Sequence, residues 1–525
     1  MPVLFSVLSG FVTGFTFPTA FAGKLLPDVG WAAWFSLVPL YLSLKATSGN
    51  SAVKALAFGA GIVSVSCYYL FLYLPLSGKM GWGAAVFLTC LLISLLSLLF
   101  SFFCAAAVRI HQRGVPLWLS LPLGWVCFDF LRNYFPFGGV PLTGMAYTQR
   151  SFLPLIQLLD VTGIYGITFL LVLGNCWLGE LGLWLRKKTA FPALLSGVFL
   201  SLFALSLVYG FNKKSQIESG MAQLEKVQIA LIQGNVAPRK TWSPDSIQAA
   251  TDKYFSLSLR LKNPTVDLFI WPETPQPTYA PSGQTRLNRF KGLEAPLLFN
   301  IMTHDGDWPP HWPPSRLDYE KGFALFNSAI LVSEDGTVQG EYRKYHLAPF
   351  GEYVPLRRLF KNFEAFALRE ADFSAGEALR PMPFPTRRGL RTMGIMICLE
   401  DMFPEIARRY ARQGVDLLVN LTNGGWYGGS SAIFQHFDYS RYRAIESRRS
   451  VARATNTGVT ALIAPTGEIL AQAPTFSEAA VIAAVPLGGP STLYTRWGDL
   501  PALACAIAFG TLLLSSFFIR RSRLH

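Results

Sequence analysis

Three segments of the sequence carry side chains able to move protons or attack a carbonyl carbon, and two of them close apolar, β-like runs. In residues 268–273, Leu-Phe-Ile-Trp-Pro-Glu, the run ends on Glu273 beside a proline. In residues 393–400, Met-Gly-Ile-Met-Ile-Cys-Leu-Glu, it ends on Cys398. Between them, in Tyr-Arg-Lys-Tyr-His-Leu-Ala-Pro-Phe-Gly-Glu-Tyr-Val-Pro over 342–355, Lys344 is followed eight residues later by Glu352. Ligands and catalytic groups of α/β sheets gather at the carboxyl ends of strands. Glu273 and Cys398 are expected there.

A carboxylate, an ammonium and a thiol make a set suited to acyl transfer. A free thiol has a pKa of about 8.5, so a base and a cation are needed to supply thiolate at neutral pH. Glu273 is the expected base, taking the thiol proton and later exchanging one with an amine. Lys344, kept charged by a nearby carboxylate such as Glu352, is expected to hold the oxyanion together with the backbone N–H of Leu399. Loss of one such donor raises a barrier by about 3–4 kcal/mol. Cys398 also stands out by elimination. Cys67, Cys90, Cys104, Cys127, Cys176 and Cys505 all fall in apolar helical stretches, where thiols act as small hydrophobes. Only Cys398 lies in the soluble segment, as a nucleophile or as a buried inert thiol.

The elements that must position these groups belong to two kinds of chain. Of 525 residues, 51% are hydrophobic and 15% charged, with mean hydropathy +0.33. Soluble domains carry about 25% charged residues, so part of this chain belongs in lipid. Residues 226–486 instead show short β-like runs at 227–233, 266–271, 297–302, 329–332, 392–398, 415–420 and 459–464. Helical patterns at 404–413 and 434–449 separate several of them, which predicts an α/β layered domain.

Apolar stretches at roughly 3–22, 29–46, 54–76, 82–108, 116–134, 163–185, 190–211 and 499–519 predict eight membrane helices, each needing about 20 residues. The expected organisation is a bundle over 1–211, a soluble domain over 212–498, and an eighth helix with a tail over 499–525. The net charge of +14 is uneven. Lys45, Lys54, Arg109, Arg113, Arg186, Lys187, Lys188, Arg520, Arg521 and Arg523 occupy one set of loops and the tail; the opposite set holds Lys24, Lys79, Arg132 and Arg150. By the positive-inside rule the tail is cytoplasmic and 212–498 lies outside. Basic residues at membrane borders argue against a nucleic-acid partner. The sequence Ala-Phe-Ala at 20–22 resembles a signal-peptide cleavage site, but no basic residue precedes the apolar run, so an uncleaved helix is expected.

Other features are weaker. His304, Asp305 and His311 do not share a face of any expected element, and a solvated loop explains them better than a metal site. Leu356, Leu359, Phe360, Phe363 and Phe366 recur at helical spacing among Arg357, Arg358 and Lys361, as in an interfacial lid or an ordinary packed helix. Asp129 and Asp160 lie near predicted helix ends, where they are either functional or facing water. The rigid loop at 308–314, Trp-Pro-Pro-His-Trp-Pro-Pro, has no assignable purpose. Nothing calls for a metal or an organic cofactor.

These residues resemble a known family. Trp-Pro-Glu at 271–273, the Lys344 segment and the strand ending in Cys398-Leu-Glu400 are similar to the Glu–Lys–Cys signatures of the nitrilase superfamily, as is Asn420-Leu-Thr-Asn-Gly-Gly-Trp-Tyr-Gly428. Eight flanking helices, Gly351-Glu-Tyr-Val-Pro355 and Gln435-His-Phe437 narrow the resemblance to the bacterial apolipoprotein N-acyltransferases. That resemblance implies a nitrilase-like αββα sandwich facing the periplasm, on an eight-helix bundle in the inner membrane. It implies a ping-pong reaction in which Cys398 takes the sn-1 acyl chain of a phospholipid, chiefly phosphatidylethanolamine, as a thioester. The amine of a diacylglyceryl-cysteine at an apolipoprotein N-terminus then receives it. By the same resemblance Glu273 is the base, Lys344 the oxyanion partner, Glu352 and Glu400 support the site, Trp242 and Trp426 line the substrate pocket, and the protein is a monomer. Leu399 departs from the tyrosine of a well-studied branch.

Two competing readings remain. A membrane-tethered nitrilase or amidase would resolve the same thioester with water, but needs neither eight helices nor a lid. A transporter or receptor should show broken helices or charges at the membrane midplane, and few are evident. Acyl transfer is the favoured reading.

Overall fold

A computed structural model of the chain describes residues 2–46, 49–76, 81–237, 242–261, 266–275, 277, 279–309, 318, 320–349, 351–353, 355 and 372–518. Two compact units emerge, one from Met1–Leu72, Ala85–Gln216 and Arg496–His525, the other from Tyr73–Ala84 and Ile217–Thr495. The amphipathic stretch 356–366 and most of the Pro-rich loop, His311 included, lie outside the described residues.

The first unit is helical. Among the described residues, Trp82–His111, Ile164–Leu185, Ala193–Met221 and Leu500–Phe518 are long and apolar enough to cross a membrane. This is four continuous spans rather than the eight expected from hydropathy. The other four apolar stretches are shorter or interrupted. Pro2–Phe15 stops ahead of Pro18, and the second stretch divides into the turn Gly30–Trp34 and the helix Val38–Lys45. The third breaks at Cys67 between Ser51–Ser66 and Tyr68–Leu76. Leu117–Arg132 begins only after Pro116; its 16 residues rise about 24 Å, short of a hydrocarbon core of about 30 Å. Asp129 and Asp160 do not face water. Asp129 is fully buried with Arg132 at 2.9 Å and accepts from Thr168 Oγ1 at 3.0 Å. Asp160 is buried and accepts from Tyr209 OH at 2.7 Å.

The second unit is built on two sheets. The strands are β1 (Lys226–Gln233), β2 (Leu268–Ile270), β3 (Tyr279–Pro281), β4 (Leu297–Asp305), β5 (Ala324–Val332), β6 (Val338–Arg343), β7 (Met382–Thr386), β8 (Gly389–Ile397), β9 (Leu417–Thr422), β10 (Ser450–Thr455), β11 (Ala461–Ile463), β12 (Ile469–Gln472) and β13 (Ala479–Pro486). One sheet runs β13-β1-β2-β4-β5-β6, with β3 paired to β4; the other runs β12-β11-β10-β9-β8-β7. Each has a parallel centre, β1-β2-β4 and β8-β9-β10, flanked by antiparallel edges. All seven expected β-runs lie on strands. Of the ones missed, β6 and β10 carry polar or charged residues within the strand and so lack an apolar signature, whereas β13, Ala-Ala-Val-Ile-Ala-Ala-Val-Pro, is apolar throughout.

Side-chain alternation explains the layers. Along β1, Val227, Ile229 and Leu231 enter the core shared with Ile395 and Ile397 of β8 and Val419 and Leu421 of β9. Ala230 and Ile232 point the other way, into a cluster with Tyr254 and Leu257 of the helix Pro244–Leu259. Burial on both faces is why these strands read as continuous apolar runs. The helices Pro404–Arg412 and Ala432–Ser447 supply Ile406, Tyr410, Phe437 and Ala444 to the second sheet. Gly394 of β8 lets the Tyr410 ring approach: a Cβ there would stand 2.5 Å from the ring. Each aliphatic side chain so buried contributes about 1.5–3 kcal/mol. The result is a layered α/β sandwich of two sheets with helices packed on them.

Candidate active site

Glu273, Lys344 and Cys398 follow three different strands. Glu273 stands three residues past β2, Lys344 directly follows β6, and Cys398 directly follows β8. Lys344 was not expected at a strand end, because the mixed sequence of β6 hid that strand. Their charges act on one another in a common buried region.

Cys398 turns the chain from β8 into the short 3-10 segment Cys398–Met402 with φ +54, a left-handed conformation uncommon outside glycine. Register pairs Ile397 with Leu421, which sets Cys398 beside Thr422 at the end of β9. Burial pushes the thiol up to about 12, and the Glu273 carboxylate adds to the rise. Lys344 and the Thr422 hydroxyl act in the opposite direction. A thiol so raised is protonated at neutral pH, and attack by it would need a base.

Glu273 is 6% exposed and held by two donors. Asn327 Nδ2 reaches Oε1 at 3.1 Å, and the backbone N–H of Asn423 reaches Oε2 at 3.1 Å. The adjoining Thr274 N–H donates to Asn300 Oδ1 at 2.8 Å, which pins the loop after β2 onto β4.

Lys344 is 1% exposed and paired with Glu352 Oε2 at 2.8 Å. Burial opposes its charge, but Glu352, Cys398, Glu273 and Glu400 together outweigh burial and raise the ammonium above its ordinary range. Glu352 also accepts from Asn327 Nδ2 at 2.9 Å and from the Ala348 N–H at 2.8 Å. Neighbouring His346 is driven the other way, to about 4, by burial and then by Lys344.

Glu400 ties the lysine segment to the cysteine turn. Its Oε1 accepts from the N–H groups of Tyr345 at 2.8 Å and His346 at 2.9 Å; Oε2 accepts from the Ile397 N–H at 2.6 Å, and Tyr342 OH reaches both oxygens. Burial pushes this carboxyl up to about 7, with Lys344 opposing. Leu399 and Trp426 are half-buried, Trp426 lying three residues past Asn423. Trp242 is half-buried ahead of the helix Pro244–Leu259. Of the alternative metal set, His311 lies outside the described residues, and His304 and Asp305 have other partners. Asp305 is engaged by both Arg343 nitrogens at 3.0 and 2.9 Å, and the His304 ring packs on Trp308 and Phe323.

Sequence reasoning missed Asn300 and Asn327. Both are polar residues inside apolar strands, Leu-Leu-Phe-Asn-Ile-Met and Ala-Leu-Phe-Asn-Ser-Ala, and a buried amide in such a run is a signal in itself. Also missed were Asp401 and Arg453, a buried ion pair at 2.9 Å beneath the cysteine turn.

Comparison with known proteins accounts for both units. Residues 228–491 match the Carbon-nitrogen hydrolase family, and residues 9–177 match the Apolipoprotein N-acyltransferase N-terminal domain. The apolipoprotein N-acyltransferase of Geobacter metallireducens is 33% identical over 99% of this chain and 96% of its own length. That of Azotobacter vinelandii is 30% identical over 95% and 94%. Among solved structures, a Saccharomyces cerevisiae member of the nitrilase superfamily covers 53% of this chain and 95% of its own, with 20% identity and a TM-score of 0.37. With similarity running along both units, this chain belongs to the apolipoprotein N-acyltransferase family.

Proposed function

We propose that this chain completes lipoprotein maturation by relaying one acyl chain from a phospholipid, through Cys398, to an apolipoprotein N-terminus. The chain is a membrane acyltransferase acting on apolipoproteins, with lipoprotein and phospholipid as its substrates. The observation that carries the finer reading is the bonded frame that joins the three strand ends: Asn327 bridges Glu273 to Glu352, Glu352 pairs with Lys344, and Glu400 holds the N–H of Tyr345 and of Ile397, the neighbours of Lys344 and Cys398.

In the first half-reaction, Sγ of Cys398 attacks the sn-1 ester carbonyl carbon while Glu273 takes the thiol proton. Lys344 Nζ and the Leu399 N–H receive the charge that develops on the carbonyl oxygen. The ester C–O bond breaks, the departing oxygen takes the proton from Glu273, and a lysophospholipid leaves. In the second, the amine of a diacylglyceryl-cysteine attacks the thioester, passes a proton to Glu273, and the C–S bond breaks. Cys398 recovers that proton as the thiol. Glu352 keeps Lys344 charged, Glu400 holds the two loops together, and Trp242 and Trp426 line the lipid path.

The same reading takes phosphatidylethanolamine as donor, a monomer as the working unit, and eight crossings of the bacterial inner membrane. The soluble domain over 212–498 faces the periplasm between the bundle 1–211 and the segment 499–525. The interrupted stretches would supply the four additional crossings as short or broken helices. Hydrolysis by water is not favoured, because similarity extends along the helical unit as well.

Intact mass of the full-length protein after incubation with phosphatidylethanolamine tests this. Wild type should gain one fatty acyl mass that hydroxylamine removes, Cys398→Ser should gain none, and a diacylated lipopeptide should discharge the acyl group onto its amine. A folded wild type that never gains the mass would overturn the reading.

A further inference from the structure

The carbonyl oxygen of Cys398 accepts two hydrogen bonds, from Asn420 Nδ2 at 3.0 Å and His436 Nε2 at 3.1 Å. Neither donor is free to turn away. Asn420 Oδ1 accepts from Arg453 at 2.6 Å, which fixes the orientation of that amide. His436 Nε2 also lies 2.8 Å from Asp401 Oδ1, so a proton on this nitrogen faces two acceptors. Arg453 closes the ring with Asp401 Oδ2 at 2.9 Å, and Ser440 donates to the same carboxylate oxygen. His436 and Arg453 outweigh burial and hold the Asp401 carboxyl below its ordinary range. Asp401, Asn420, Ser440, Arg453 and His436 are all buried, and they come from the cysteine turn, β9, β10 and the helix Ala432–Ser447.

The peptide that joins Cys398 to Leu399 is planar and trans, so its C=O and N–H point in opposite directions. Fixing the carbonyl from beneath therefore aims the Leu399 N–H away from the buried cluster. A left-handed φ at a non-glycine residue persists only where its surroundings over-determine it. Two donors on one carbonyl, each held by a buried ion pair, meet that condition.

We propose that Asn420 and His436 are positioning residues that aim the Leu399 N–H oxyanion donor by gripping the carbonyl of the same peptide unit, with Asp401 and Arg453 holding both in place. This rests on Cys398 being the acylated nucleophile. Removing either donor lets the peptide rotate, and the transition state loses an aligned N–H while the thiol remains.

The test compares two reactions of the full-length protein in detergent. Acyl gain from phosphatidylethanolamine needs the oxyanion donor; alkylation of Cys398 by iodoacetamide, a displacement at saturated carbon, does not. Asn420→Leu and His436→Leu should acylate about 10–100-fold more slowly with the lipid KM unchanged, while alkylation changes by less than about threefold. His436→Gln, which keeps an N–H donor, should recover acylation to within about threefold of wild type. Wild-type acylation rates in both leucine variants would overturn the proposal while leaving the thioester reading intact. So would a parallel fall of both reactions together with the thermal midpoint, which marks a merely structural role. No acyl gain in wild type would overturn both.

Discussion

A single amide nitrogen joins the two acidic arms of the site: Asn327 Nδ2 donates to Glu273 at 3.1 Å and to Glu352 at 2.9 Å. An amide carries two hydrogens, one for each carboxylate. Asn300 Nδ2 donates to Asn327 Oδ1 at 2.6 Å and so fixes which end of the amide faces them. The expected base and the partner of Lys344 are thereby locked to β5, and any shift in one is felt by the other.

Asn327→Asp should be more damaging than its small change in volume suggests. It replaces the shared donor with a third negative charge, which raises the pKa of the neighbouring carboxylates. The acid limb of the transfer rate against pH should move upward, and the rate at neutral pH should fall about 100-fold. A pH profile of acyl transfer to a diacylated lipopeptide checks this, and an unmoved acid limb would disprove the coupling.

Titration of the thiol gives a second prediction. Burial and Glu273 both raise Cys398, to about 12, while Lys344 lowers it. The iodoacetamide reaction of Cys398, followed by peptide mass spectrometry, should therefore keep rising above pH 9 with no plateau near that of a free thiol, about 8.5. Glu273→Gln removes a negative neighbour and should shift the curve down in pH. Lys344→Met removes a positive one and should shift it up. Shifts in the same direction for both variants would contradict this electrostatic picture.

Much of this site was legible because its strands are buried on both faces. The runs ending before Glu273 and Cys398 are continuous apolar segments, and such segments advertise themselves. The strand before Lys344 reads Val-Gln-Gly-Glu-Tyr-Arg, half-exposed along its length, and gives no apolar signal. Asn327, Asn300 and Arg453 escaped for a different reason. Each acts through a partner distant in sequence, and no local spacing records that Asn327 meets Glu273 or that Arg453 meets Asp401. Of the eight membrane stretches expected, four are continuous long helices among the described residues. Hydropathy sums side chains over a window and does not register Pro18, Pro116 or the break at Cys67, which divide or shorten apolar stretches in the structure.

Leu399 carries a prediction about the side chain as distinct from the backbone. Its side chain is half-buried, and the role assigned to it uses only the N–H. Leu399→Ala should therefore keep acyl transfer within about threefold of wild type. A larger loss, seen in kcat with unchanged alkylation of Cys398, would mean that the leucine side chain itself shapes the transition state.

The Lys344–Glu352 pair predicts an asymmetry between its two halves. Both side chains are almost wholly buried, so breaking the pair leaves an uncompensated charge, at a cost of about 3–5 kcal/mol. The residue left behind decides how much of that cost appears. Lys344→Met leaves Glu352 with two donors, Asn327 Nδ2 and the Ala348 N–H. Glu352→Ala leaves Lys344 without its ion-pair partner, and burial then works against its charge with less to oppose it. Thermal midpoints should therefore rank wild type above Lys344→Met, and Lys344→Met above Glu352→Ala. The double variant Lys344→Met/Glu352→Gln removes both charges and should regain stability relative to Glu352→Ala. Acyl transfer should stay lost in every variant lacking Lys344, because no restored packing replaces the cation at the oxyanion. A Glu352→Ala protein as stable and as active as wild type would remove Glu352 from the site.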